Sequence, residues 1–174
     1  MLSKNVETLL RNLAKIETAV ARVYEKFATN DRFTSPAREF WASTMSEELE
    51  HAKLFNTIRE TAKQDDSIEV KVDFEMDQFK KSVNEFNTIL RGISEEDISE
   101  SKAYSIGAFI EININEFGFS KRVRTNNDEI AKTIRRIEND TNKHYRLLYN
   151  YSLGKRSPLQ PPSAPEPSNT ENKS

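Results

Sequence analysis

Phe40-Trp41-Ala42-Ser43-Thr44-Met45-Ser46-Glu47-Glu48-Leu49-Glu50-His51-Ala52-Lys53-Leu54-Phe55 is the stretch whose reading decides the fold. Trp41, Thr44, Phe55 and Ile58 recur on a 3-4-3-4 rhythm, and Glu48 and His51 fall on the same series. A stripe with that period faces the interior of a helical protein. A carboxylate and an imidazole one turn apart therefore point inward, which is costly unless something pairs with them. The chain has only two histidines, so the position of the second bears on what that partner is.

Working outward, helix breakers are scarce. Of four glycines and six prolines in 174 residues, five prolines lie beyond position 157, so long helices are expected before it. The first helix is predicted from Ser3 to Ala28, with an inward stripe of Val6, Leu10, Leu13, Val20, Tyr24 and Phe27 that Glu17 interrupts. Ser35-Pro36 starts the second, a capping hydroxyl followed by proline at the first helical position, and it continues to Lys63. A short loop makes the two antiparallel neighbours.

Ile68-Glu69-Val70-Lys71-Val72 alternates like a strand, but with no second strand to pair it reads as an extended linker. Phe79, Val83, Phe86 and Leu90 outline a short amphipathic helix ended by Gly92, within a connection long enough to cross the end of a bundle. Ser94-Glu95-Glu96-Asp97 resembles a capping box opening the third long helix. That helix is predicted to reach Arg124, burying Ala103, Gly107, Ile110, Glu111, Ile114 and Phe117. Its end is Lys121-Arg122-Val123-Arg124, cations that favour a helix C-terminus. Asn126-Asn127-Asp128-Glu129 caps the fourth, whose stripe is Ile130, Ile134, Ile137, Thr141, His144, Leu148 and Tyr151, closed by Gly154. The expected fold is all-α: an antiparallel four-helix bundle over residues 1–156 with a long crossover containing a short extra helix. Residues 157–174, rich in proline and poor in apolar side chains, read as a disordered tail.

Composition excludes several functions. Charged residues make up 31% of the chain and are interspersed to a net −2, which argues against a nucleic-acid surface. Absence of cysteine removes disulfides, thiolate metal sites, iron–sulfur clusters and cysteine catalysis. No apolar run approaches the roughly 20 residues of a membrane span. The N-terminus lacks a signal peptide's apolar segment, so a cytoplasmic protein is expected.

The two histidines complete a weak internal repeat. Glu17 precedes His51 by 34 residues and Glu111 precedes His144 by 33, each half pairing a helix with one inward glutamate and a helix with one inward histidine. A pseudo-twofold pair of such hairpins brings all five groups to the middle. One Glu from each of two helices plus Glu-x-x-His from the other two is the ligand pattern of di-metal carboxylate bundles. Oxygen-rich ligation with imidazole suits iron or manganese.

At these residues the chain resembles the rubrerythrin-type branch of the ferritin-like superfamily. Ile16-Glu17-Thr18-Ala19-Val20-Ala21-Arg22-Val23-Tyr24 is similar to that family's first helix, with its ligand glutamate and a tyrosine seven residues on. Glu48-Leu49-Glu50-His51 is similar to its first Glu-x-x-His motif, while Glu111 and His144 take the later glutamate and histidine positions. The resemblance implies a ferritin-like bundle and a non-haem di-iron centre, with manganese an alternative, held by Glu17, Glu48, His51, Glu111 and His144. It further implies oxidation of ferrous iron by peroxide or oxygen, an external electron donor, and association into a homodimer; nucleic acid and membrane are not expected partners.

The chain departs from that family in four places. Thr141 stands where the second motif has its glutamate, and reads as a core residue packing its methyl. With no cysteine in the sequence, the family's rubredoxin-like domain is not expected after the bundle. Gly118 sits where the first half has Tyr24, and Ile114 is apolar three residues after Glu111. Three carboxylates against two divalent cations leave one positive charge over. Of the nearby carboxylates, neither Glu138 nor Asp140 stands as an obvious replacement, Glu138 being the better candidate. The alternative reading is a degenerate bundle with one metal or none, used for binding, assembly or iron handling.

Overall fold

The computed structural model describes residues 2–73, 75–95, 97–116 and 122–153. They form helices α1 (Lys4–Ala28), α2 (Ser35–Gln64), α3 (Met76–Glu95), α4 (Glu100–Glu116) and α5 (Asp128–Ser152), with strands β1 (Val70–Val72) and β2 (Val123–Thr125). The all-α expectation holds, apart from this small ribbon. Helix α1 packs along α2 and also receives α3, while α4 packs along α5. The stripes expected to face inward on α1 and α2 are buried, as are Ile130, Ile134, Ile137, Thr141, His144 and Leu148 on α5.

Helix starts follow local chemistry. The Ser3 hydroxyl accepts from the Val6 N–H at 3.3 Å, and the Asn127 side chain accepts from the Ile130 N–H at 3.0 Å. Helix α2 has Pro36 in its first turn as expected, but its cap residue is Thr34 rather than Ser35. Thr34 donates its N–H at 2.7 Å and its hydroxyl at 3.3 Å to the Glu100 carboxylate, which fastens the start of α2 to the start of α4.

Three expectations between α2 and α5 are corrected. Val70–Val72 is no linker: it pairs antiparallel with β2, Val70 opposite Thr125 and Val72 opposite Val123. The partner lies over fifty residues away in sequence, inside the stretch assigned to the end of the third long helix, so local pattern could not reveal it. Asn126 secures the ribbon's end, accepting from the Glu69 N–H at 2.8 Å and donating to the Ser67 carbonyl at 2.9 Å. The crossover helix runs through Gly92 to Glu95, so the cap expected at Ser94 lies inside α3. Ser99 takes that role for α4, accepting from the Lys102 N–H at 3.3 Å. The expected continuation through Phe117 and Gly118, the closing Gly154 and the tail 157–174 lie outside the described residues.

One close approach sets how α4 meets α2. A Cβ on Gly107 would fall 2.7 Å from Cη2 of Trp41 and 3.0 Å from a Leu148 methyl, so only glycine fits. Trp41, fully buried, packs against Tyr24, Phe27, Phe40 and Tyr104. Along the helices Trp41 lies two turns from Glu48 and Tyr24 two turns from Glu17, and the Tyr24 hydroxyl brings this aromatic layer up against the polar residues of the interior.

Candidate metal centre

Seven polar or charged residues are buried among the described ones: Glu17, Thr44, Glu48, His51, Glu111, Thr141 and His144. All five residues singled out in the sequence are therefore inside. Each arrives from a helix whose apolar stripe is interrupted at one or two positions, so the packing that buries the stripe carries the charge in with it. The five form two groups, Glu17–Glu48–His51 and Glu48–Glu111–His144, in each of which one ligand atom per residue lies within 4.8 Å of the others.

Glu48 is common to both. Its Oε2 lies 3.1 Å from His51 Nδ1 and its Oε1 lies 3.0 Å from His144 Nδ1, so the two oxygens of one carboxylate face two different imidazoles. The second contact is close but misdirected: Glu48 Oε1 and His144 Nδ1 both lack a hydrogen-bond partner, as do Glu17 Oε2 and Glu111 Oε2. Buried polar atoms without partners are rare and expensive. Here four of them belong to the same constellation.

The outer nitrogens are held crosswise. His51 Nε2 lies 3.4 Å from Asp140 Oδ2 on α5, and His144 Nε2 lies 3.0 Å from Glu47 Oε2 on α2. Both carboxylates stand four residues before a histidine, and each serves the histidine of the opposite helix. That regularity was visible in the sequence, though its meaning depends on α2 facing α5. Asp140 approaches the site as a partner of His51, whereas Glu138, the better placed on helical angle, belongs to neither ligand group.

Each imidazole thus has carboxylate oxygens at both nitrogens. A neutral imidazole has one donor and one acceptor nitrogen, so it satisfies only one such contact. Two states resolve the conflict: a second proton on the ring, or a cation between Nδ1 and the inner carboxylates, with Nε2–H donating outward. In the metal-free arrangement the proton is favoured. Burial opposes charge on His144, but Glu48, Glu111 and Glu47 outweigh it and push its pKa up to about 9. His51 is raised in the same way against its burial, chiefly by Glu48 and then Asp140. Burial likewise opposes charge on Glu48, yet the two histidines hold its pKa down at about 2.

The flanking glutamates behave oppositely. Burial, reinforced by the Glu48 charge, raises Glu111 to about 8 and Glu17 well above the usual carboxylate range. The Tyr24 hydroxyl donates to Glu111 Oε1 at 2.7 Å, fixing that carboxyl from behind. Burial and the neighbouring carboxylates keep the phenol protonated. Thr141 is buried and turns its hydroxyl back to the Ile137 carbonyl at 3.0 Å, consistent with a core residue. The three carboxylates, two imidazoles and unpartnered inner atoms make a donor set that fits one or two divalent cations. The chain matches no known protein-family model, no curated protein and no solved structure.

Proposed function

We propose that this chain is a ferritin-like four-helix bundle of rubrerythrin type holding two metal ions, iron or manganese, at Glu17, Glu48, His51, Glu111 and His144. Its chemistry is redox, with peroxide or oxygen as oxidant and an external electron donor to reset the centre. The observation that carries the reading is Glu48, one buried carboxylate shared by two ligand groups, with an oxygen facing each histidine. A bound metal of this kind supplies an electron source and a Lewis acid. The chain's own part is to set the ligands: Glu47 and Asp140 orient the imidazoles, Tyr24 holds Glu111, and the aliphatic and aromatic packing keeps bulk water away. Homodimer formation belongs to the same proposal, with Phe109 and Ile112 on α4 as exposed apolar surface for such a contact.

Thr141 favours a second reading, a bundle with one ion or none. Without a fourth carboxylate, Glu48 and two protonated histidines already balance much of the interior charge. Metal analysis of protein purified without chelators separates the two. About two irons or manganeses per chain are expected under the first reading, and one or none under the second. No metal, even after anaerobic addition of Fe(II), sinks the redox proposal.

A further inference from the structure

Oxidisable side chains line up from the centre to the surface. The line starts at Tyr24, hydrogen-bonded to Glu111 at 2.7 Å. The rings of Tyr24 and Trp41 have centroids 5.0 Å apart, those of Trp41 and Tyr104 5.1 Å, and those of Tyr104 and Tyr151 3.5 Å. Tyr24, Trp41 and Tyr104 are buried, whereas Tyr151, near the end of α5, is partly exposed. Three of the five tyrosines and the sole tryptophan stand in this series. The other two tyrosines, Tyr145 and Tyr149, pair with each other at 5.6 Å.

Core packing alone accounts for aromatic rings here, since Phe27 and Phe40 belong to the same layer. It does not account for their chemistry. Phenylalanine fills similar space without a polar atom, whereas the Trp41 Nε1–H is buried with no hydrogen-bond partner. Buried tryptophan and tyrosine ordinarily find one. Tyrosine and tryptophan also differ from phenylalanine in giving up single electrons readily, and they follow one another without a gap.

We infer that Tyr24, Trp41, Tyr104 and Tyr151 form a conduit that passes single electrons between the surface and the Glu/His centre. Its use by the centre rests on the redox reading above; the conduit itself does not need a metal. With a metal held by the centre and Glu111 ionised as its ligand, Tyr24 would supply it one electron while the phenolic proton moves along the 2.7 Å hydrogen bond to Glu111 Oε1. Trp41 then reduces Tyr24, which takes its proton back, and the indole keeps its own proton because Nε1 has no acceptor. Tyr104 reduces Trp41 as its phenolic proton passes to the oxygen of the hydrogen-bonded Tyr151, whose own proton leaves to solvent. Tyr151 then returns one electron and its phenolic proton to Tyr104, and is itself restored by an electron from a one-electron reductant in solution and a proton from solvent. One electron leaves the reductant and one reaches the centre, with no covalent bond between heavy atoms made or broken.

The single tryptophan makes the test selective. In the metal-free full-length chain an ultraviolet flash photo-ionises Trp41, and transient absorption follows the resulting tryptophanyl and tyrosyl radicals with ascorbate present. The expected result is a tyrosyl radical that ascorbate removes rapidly. With Tyr151→Phe, and independently with Tyr104→Phe, the radical stays inside and its lifetime rises several-fold, while Tyr149→Phe leaves it unchanged. Unchanged lifetimes in both line variants, or the same rise with Tyr149→Phe, overturn the conduit. Failure of the chain to bind iron would overturn the metal reading and leave this result standing.

Discussion

Glu48 is where the interior charge is decided. It sits between two imidazoles, each of which also faces an outer carboxylate, and its Oε1 is buried without a hydrogen-bond partner. The matching position on α5 holds Thr141, whose hydroxyl is turned to its own helix. Replacing that residue is the direct test of whether the interior is a metal centre short of one ligand. Thr141→Glu is expected to lower the unfolding temperature of the metal-free protein, because a carboxyl is added to an already crowded interior. Adding Fe(II) or Mn(II) should restore the loss and increase the metal bound per chain. Equal destabilisation with and without metal would show that the position is simply core.

Helices α2 and α4 meet where a glycine lets an indole through. Gly107→Ala would place a methyl 2.7 Å from Trp41, whose ring is enclosed by other aromatics and has no room to retreat. The variant is expected to lose about 1–3 kcal/mol of stability, the usual cost of overpacking. Denaturant unfolding measures it, and a change near zero would mean that the aromatic layer repacks freely. The start of α4 is also set by tertiary contact. Glu100 binds Thr34 at the start of α2, and Ser99 caps α4, although Ser94 had the stronger capping pattern in sequence.

For the whole molecule, the buried constellation makes stability depend on pH. The raised pKa of His144, from 6.5 to about 9, contributes stability that is complete below the lower value and lost as pH rises through the upper. Glu111, raised from 4.5 to about 8, is neutral when folded at low pH and becomes an adverse buried charge over that interval. Both effects, together with raised His51 and Glu17, run the same way. Glu48 acts only at the acid end, where its contribution fades as pH falls from 4.5 towards about 2. Chelator-treated protein should therefore melt at a lower temperature at about pH 9 than at about pH 6. Metal-loaded protein should lose less, because the cation replaces the histidine protons. A flat or rising profile for the metal-free chain would contradict the buried network. No helix among the described residues is long and apolar enough to cross a membrane.

Sequence by itself determined the helical class, the helices α1, α2 and α5, and the five inward groups. Both rest on periodicity: a 3-4 rhythm is local, and Glu17, Glu48, His51, Glu111 and His144 stand on it as plainly as the leucines and isoleucines beside them. Only tertiary structure decided which groups meet. Glu48 is shared because α2 faces both α1 and α5; Asp140 and Glu47 serve the opposite histidines for the same reason. The β1–β2 ribbon, the Thr34–Glu100 tie and the aromatic line from Tyr24 to Tyr151 join residues far apart in the chain. Such contacts depend on helix order and close approach, which a one-dimensional pattern does not contain.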